Sequence, residues 1–153
     1  MLYALALLAG IVAGSRALTA PAAVSWAARL GFLNLDGSWL AFMGYRWTPW
    51  IFTALAIVEF VTDQLPSTPS RKVPMQFGAR LVTGALSGAT LGASGGSWIA
   101  GLVAGVVGAV IGTYGGAEIR ARLSKAFGRD PPAAFIEDAA AIVLGLIIVL
   151  ALR

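Results

Sequence analysis

Residues 78–118 read GARLVTGALSGATLGASGGSWIAGLVAGVVGAVIGTYGGAE. Gly84, Gly88, Gly92 and Gly96 recur at four-residue spacing, as do Gly108, Gly112 and Gly116, and Gly101 and Gly105 form a further pair. A helical turn takes about 3.6 residues, so each set falls on one face of a helix. In water each glycine costs a helix roughly 1 kcal/mol relative to alanine. In a bilayer the backbone has to satisfy its own hydrogen bonds, so the helix is enforced and glycine becomes a flat surface for close approach. The stretch therefore predicts two transmembrane helices packed on each other or on copies of themselves. Gly84, Gly88, Gly92, Gly101, Gly105, Gly108 and Gly112 are the expected packing residues.

The rest of the chain agrees with a lipid solvent. Of 153 residues, 58% are hydrophobic and 12% charged, half the charge usual in soluble domains. There is no cysteine, which excludes disulfides and thiolate metal sites, and no histidine, the usual general base and metal ligand. The net charge of +4 raises nucleic acid as a partner. No RNA-recognition motif appears, however, and the basic residues sit between apolar runs, where the positive-inside rule accounts for them. The opening MLYALALLAGIVAG lacks the basic start of a secretory signal and reads as retained structure.

The fold class expected is all-α: one polytopic transmembrane bundle of about five spans occupying residues 1–153 as a single membrane domain. The first segment, 2–31, is interrupted at Ser15-Arg16 and contains Pro21. Thirty helical residues would measure about 45 Å against a hydrocarbon core of roughly 30 Å, so this segment is either kinked or broken into two half-helices. A break raises the count to six. Further spans are expected at 49–65, 77–93, 98–117 and 131–152, with a stiff proline-rich turn at 66–74 and a basic loop at 120–129. Seven of the 11 basic residues (Arg71, Lys72, Arg80, Arg120, Arg122, Lys125 and Arg129) flank the second and fourth spans. Those loops should face the cytoplasm and the Gly95 turn should face out. Five spans then put the N-terminus inside and the C-terminus outside. Trp26, Trp39, Trp47, Trp50 and Trp98 gather toward the outer side as an aromatic belt.

Gly14-Ser-Arg16-Ala-Leu-Thr19 aligns with Gly78-Ala-Arg80-Leu-Val-Thr83, a weak internal hairpin repeat of the kind used by small transporters. Three stretches carry a wider likeness: GSRALTAPAAVSWAARL from Gly14, VEFVTDQLPSTPSR from Val58 and VPMQFGARLVTGALSGATLG from Val73. With the glycine-rich hairpin and IEDAAAI from Ile136, they resemble a family of small bacterial membrane proteins, the domain of unknown function 4126. The resemblance implies a multi-pass protein of the bacterial inner membrane and carries no activity or catalytic residue with it.

Function must be sought where ionisable groups enter apolar segments, because each costs at least about 2.5–3.5 kcal/mol to bury in a bilayer. Arg16 lies within the first segment. Glu59 and Asp63 share a face of the second span, Arg80 begins the third, and Glu137 and Asp138 begin the last. With Thr19 at the start of a half-helix, these residues form the expected substrate or ion pathway, with Arg16 and Arg80 neutralising the carboxylates. The competing explanation is structural: buried pairs that set helix register, or headgroup-level charges reaching for water. Three functions follow. The first is a small transporter or channel for an ion or small solute, acting as a homo-oligomer in the lipid bilayer. The second is a non-transporting scaffold that oligomerises through its glycine faces. The third, an enzyme, would need a carboxylate or metal mechanism and is not favoured. No cofactor, no metal and no nucleic acid is expected.

Overall fold

The computed structural model describes residues 1–62 and 74–153, and the side chains of all of these except Asp130 and Pro131. All the regular secondary structure among the described residues is helical, with no strand. Six α-helices follow in order: α1 (Leu2–Ser15), α2 (Thr19–Arg29), α3 (Thr48–Thr62), α4 (Pro74–Ser94), α5 (Trp98–Phe127) and α6 (Asp130–Leu152), with a short 3-10 helix at Trp39–Gly44 before α3. Asp63 and the proline-rich stretch after it lie outside the described residues.

The first segment is broken rather than kinked. Arg16 is extended, with φ −138° and ψ 111°, and ends α1. Pro21 falls in the first turn of α2. Its missing N–H is tolerated there, whereas in a continuous helix its ring would meet the carbonyl of residue 17. The two halves also reverse direction. The Tyr3 hydroxyl donates to Gly95 O (3.4 Å), and beyond α2 the Asn34 N–H donates to Ser94 Oγ (3.2 Å). Both open ends of the α1–α2 hairpin thus sit at the α4–α5 turn. The N-terminus lies at the same end of the bundle as Gly95, correcting the expectation that they lie on opposite sides. A hairpin that turns back returns its chain to the end where it began.

α5 is the central post, with α1 and α4 on two of its faces. At Gly88, a Cβ would lie 2.8 Å from Gly105 Cα, and at Gly92 2.7 Å from Gly101 Cα. On the other face a Cβ at Gly108 would lie 2.9 Å from Gly10 Cα, and one at Gly112 2.8 Å from Ile11 C. Side chains cannot occupy those spaces, so Gly101 and Gly105 set α4 against α5, and Gly108 and Gly112 set α1 against α5. α5 runs to Phe127 and ends on Gly128 in the left-handed region (φ 74°). The expected basic loop at 120–129 is therefore mostly helix. No glycine or proline interrupts residues 117–127, and Glu118 accepts from Arg122 Nε (2.9 Å) one turn on.

The interior is small and the exterior large. Buried positions include Ala6, Ala9, Ala13, Ala20, Ala27, Ala89 and Ala109, whereas Ile99, Val103, Ile111, Leu146, Ile147 and Leu150 face outward. Among the described residues only α5 and residues 132–152 of α6 are both long and apolar enough to cross a membrane, fewer than the five or six spans expected. α1, α2 and α3 are short, and α4, though 21 residues long, is diluted by glycine, serine and threonine. Only 33% of the apolar window of α5 and 17% of that of α6 is covered by the rest of the protein. The core helix of a water-soluble protein would be mostly covered.

Candidate functional site

The break between α1 and α2 gathers charge from four helices. Arg16 is wholly buried at the hairpin tip. Its Nε donates to Asp138 Oδ1 on α6, and its Nη2 pairs with the same oxygen. The guanidinium also stands 5.8 Å from the centre of the Phe60 ring, within cation–π range. Arg80, 3% exposed on α4, donates from Nη1 to Gly14 O at 2.9 Å, a carbonyl at the end of α1. Opposite it Glu59 on α3 accepts from the Leu18 N–H at 3.5 Å, at the start of α2. A cation thus meets the C-terminal end of one half-helix and an anion the N-terminal end of the other, the arrangement that helix dipoles favour.

Two buried hydroxyls complete the setting. Thr19 Oγ1, at the first position of α2, and Thr113 Oγ1, midway along α5, have no hydrogen-bond partner among the described residues. Gly14 packs on this part of α5, where a Cβ would fall 2.6 Å from Gly112 C. The break therefore stands at about half the length of α5, roughly 22 Å from either end at 1.5 Å per residue.

Of the expected pathway residues, the fold brings Arg16, Thr19, Glu59, Arg80 and Asp138 to this one place. Glu137 turns away from the tip, toward Arg120 on α5, with Glu137 Oε2 3.6 Å from Arg120 Nη1. Glu118 is a surface residue paired with Arg122. The matched Gly14–Thr19 and Gly78–Thr83 segments differ in form. The first breaks a helix and the second lies inside α4. Thr113 and Arg120 are the participants that reading the sequence missed. Nothing marks Thr113, whose surroundings are fixed only by the contact of α1 with α5. Gly10 and Gly14 were legible in principle, since they repeat the four-residue spacing of the longer ladders. Among the described residues no group of three carboxylates is arranged to hold a metal ion. Comparisons with protein-family models, curated proteins and solved structures found no match.

Proposed function

We propose that this chain is a multi-pass protein of the bacterial inner membrane that binds and passes a small ion or solute at the α1–α2 break. In this reading α3, α4, α5 and α6 cross the bilayer, and α1 and α2 enter and leave it on one side as a re-entrant pair. Arg120, Arg122, Lys125 and Arg129 then mark the cytoplasmic end, and the tryptophans mark the outer one. Trp26 stacks edge-on against Trp50 (5.0 Å between centroids), and Trp39 against Trp98 (5.5 Å). Such rings suit the membrane–water interface. The proposed family, the small bacterial membrane proteins of domain of unknown function 4126, is consistent with this placement.

The observation that carries the proposal is Arg16, buried at the tip of a discontinuous helix pair and met there by Asp138, Arg80 and Glu59 from three other helices. Ionisable groups at such depth are expensive to maintain and usually serve an ion or substrate path. Discontinuous helices build such sites because their free ends offer backbone groups to a ligand. The break holds two cations and two carboxylates, so a passing ion can be exchanged against an internal partner.

The scaffold alternative relies on the glycine faces, and these are occupied by α1, α4 and α5 of the same chain. A homo-oligomer would have to form through other surfaces. Flux into liposomes tests the proposal. Glu59→Gln keeps an oxygen for the Leu18 N–H and removes the charge, so transport should fall at least about tenfold while thermal stability stays near wild type. Undiminished flux would remove Glu59 from the path.

A further inference from the structure

A second feature lies beside the break, and it follows from the hairpin. α1 ends at Ser15, so the wedge that it fills between α5 and α6 stays open beyond that point. A groove of about 290 Å³ remains there. Ile11 and Ser15 close it at the hairpin end, Ile111 and Gly115 line it from α5, and Ala140 and Leu144 from α6. Near its far end stand Arg120 and Glu137, with Leu123 and Ile136 just beyond them. The distance along α5 from Ile111 to Arg120 is nine residues, about 14 Å. One leaflet of a bilayer is about as thick, half of roughly 30 Å.

We propose that this groove holds one acyl chain of an anionic phospholipid from the leaflet on the basic side, with its phosphate at Arg120. The proposal rests on the membrane reading above and adds a ligand that the charged break does not supply. Three observations point to a lipid and not to water or a helix. Between Ser15 at the hairpin end and Arg120 and Glu137 near the other, the walls are aliphatic or glycine, and water in such a space would find too few polar partners. Its depth matches one leaflet. Its mouth carries the Arg120 guanidinium, a group complementary to a phosphate, and Lys125 and Arg129 follow toward and just past the end of α5. Glu137 shares the mouth, 3.6 Å from Arg120, so a phosphate has to draw the guanidinium from that carboxylate.

Gly115 provides a clean way to close the groove. A Cβ there meets nothing within 4 Å, unlike at Gly112 three residues before it, which packs on α1. Gly115→Leu should therefore fill the groove without moving a helix, and Ala140→Leu should do the same from the opposite wall. The experiment is native mass spectrometry of the detergent-purified protein with phosphatidylglycerol and phosphatidylcholine added in equal amounts. The wild type should retain one lipid, with about a tenfold preference for phosphatidylglycerol, the factor one charge-assisted contact provides. Both groove-filling variants should lose that lipid with their helical content unchanged. Arg120→Gln should keep a lipid and lose the preference. Phosphatidylglycerol retained undiminished by Gly115→Leu and Ala140→Leu, or retained by the wild type without preference, overturns the proposal and leaves the membrane reading intact. A chain that stays dispersed without detergent and retains neither lipid overturns both.

Discussion

Arg16 shows what a single charge demands of its surroundings. Its guanidinium is fully buried, and Asp138, 14% exposed, is a carboxylate placed against it. Breaking a buried pair by removing one partner typically costs 3–5 kcal/mol, because the remaining charge is left uncompensated, whereas replacing both with apolar groups is often neutral. Asp138→Asn should therefore lower stability by about 3–5 kcal/mol, read as thermal unfolding in detergent, and Arg16→Met combined with Asp138→Leu should recover most of it. The same pair of variants separates a structural charge from a functional one. If the double variant is stable and still transports, the pair only holds the hairpin tip. If it is stable and silent in flux, the charges belong to the path. A loss below about 1 kcal/mol for Asp138→Asn would mean that water reaches the pair, as at an exposed ion pair.

At the level of the helix, the small residues decide which surfaces meet. A Cβ at Gly105 would lie 2.9 Å from Gly84 C and 3.1 Å from Gly88 Cα, both backbone atoms that cannot step aside. Gly105→Leu should push α4 from α5 and cost several kcal/mol, while Gly115→Ala, facing open space, should gain about 0.5–1 kcal/mol from better helix propensity. Unfolding midpoints of the two variants measured side by side check this, and equal effects would mean that the ladder is not a contact surface. The four-residue spacing was legible because it is local. The packing of α4 on α5 was one of its two expected outcomes, but the contact with α1 was not foreseen, since α5 divides its glycines between α4 and α1, a choice made by the whole bundle. Arg16 and Pro21 likewise marked the interruption of the first segment. Its reversal was hidden, because the three residues from Arg16 to Leu18 contain nothing that sets an angle. Contacts far away set it, among them the Trp26 Nε1–H bond to Thr53 Oγ1 (2.8 Å) that holds α2 along α3. The helical course of residues 117–127 was misread for the opposite reason: basic residues suggested a loop where no residue stops a helix.

For the molecule as a whole, the distribution of size and charge separates its two ends. Small side chains fill the interior, branched aliphatic ones cover the sides, and Arg120, Arg122 and Lys125 lie at the opposite end of the bundle from Tyr3, Asn34 and Gly95. This placement distinguishes a re-entrant hairpin from a first segment that crosses the membrane. In the crossing case Tyr3 and Asp36 are on opposite sides, and in the hairpin case they share one. The chain has no cysteine, so single introduced thiols report without background. Tyr3→Cys, Asp36→Cys and Lys125→Cys all fall on exposed positions. In intact cells a membrane-impermeant maleimide should label the first two to a similar extent and leave the third unlabelled until the cells are opened. Reversing the overall orientation would exchange the labelled and protected groups but keep Tyr3 and Asp36 together, because their pairing is set by the hairpin and not by loop charge. Labelling of Asp36→Cys without Tyr3→Cys would show that α1 and α2 cross as one unit, and the charged break would then lose the free helix ends on which an ion path depends.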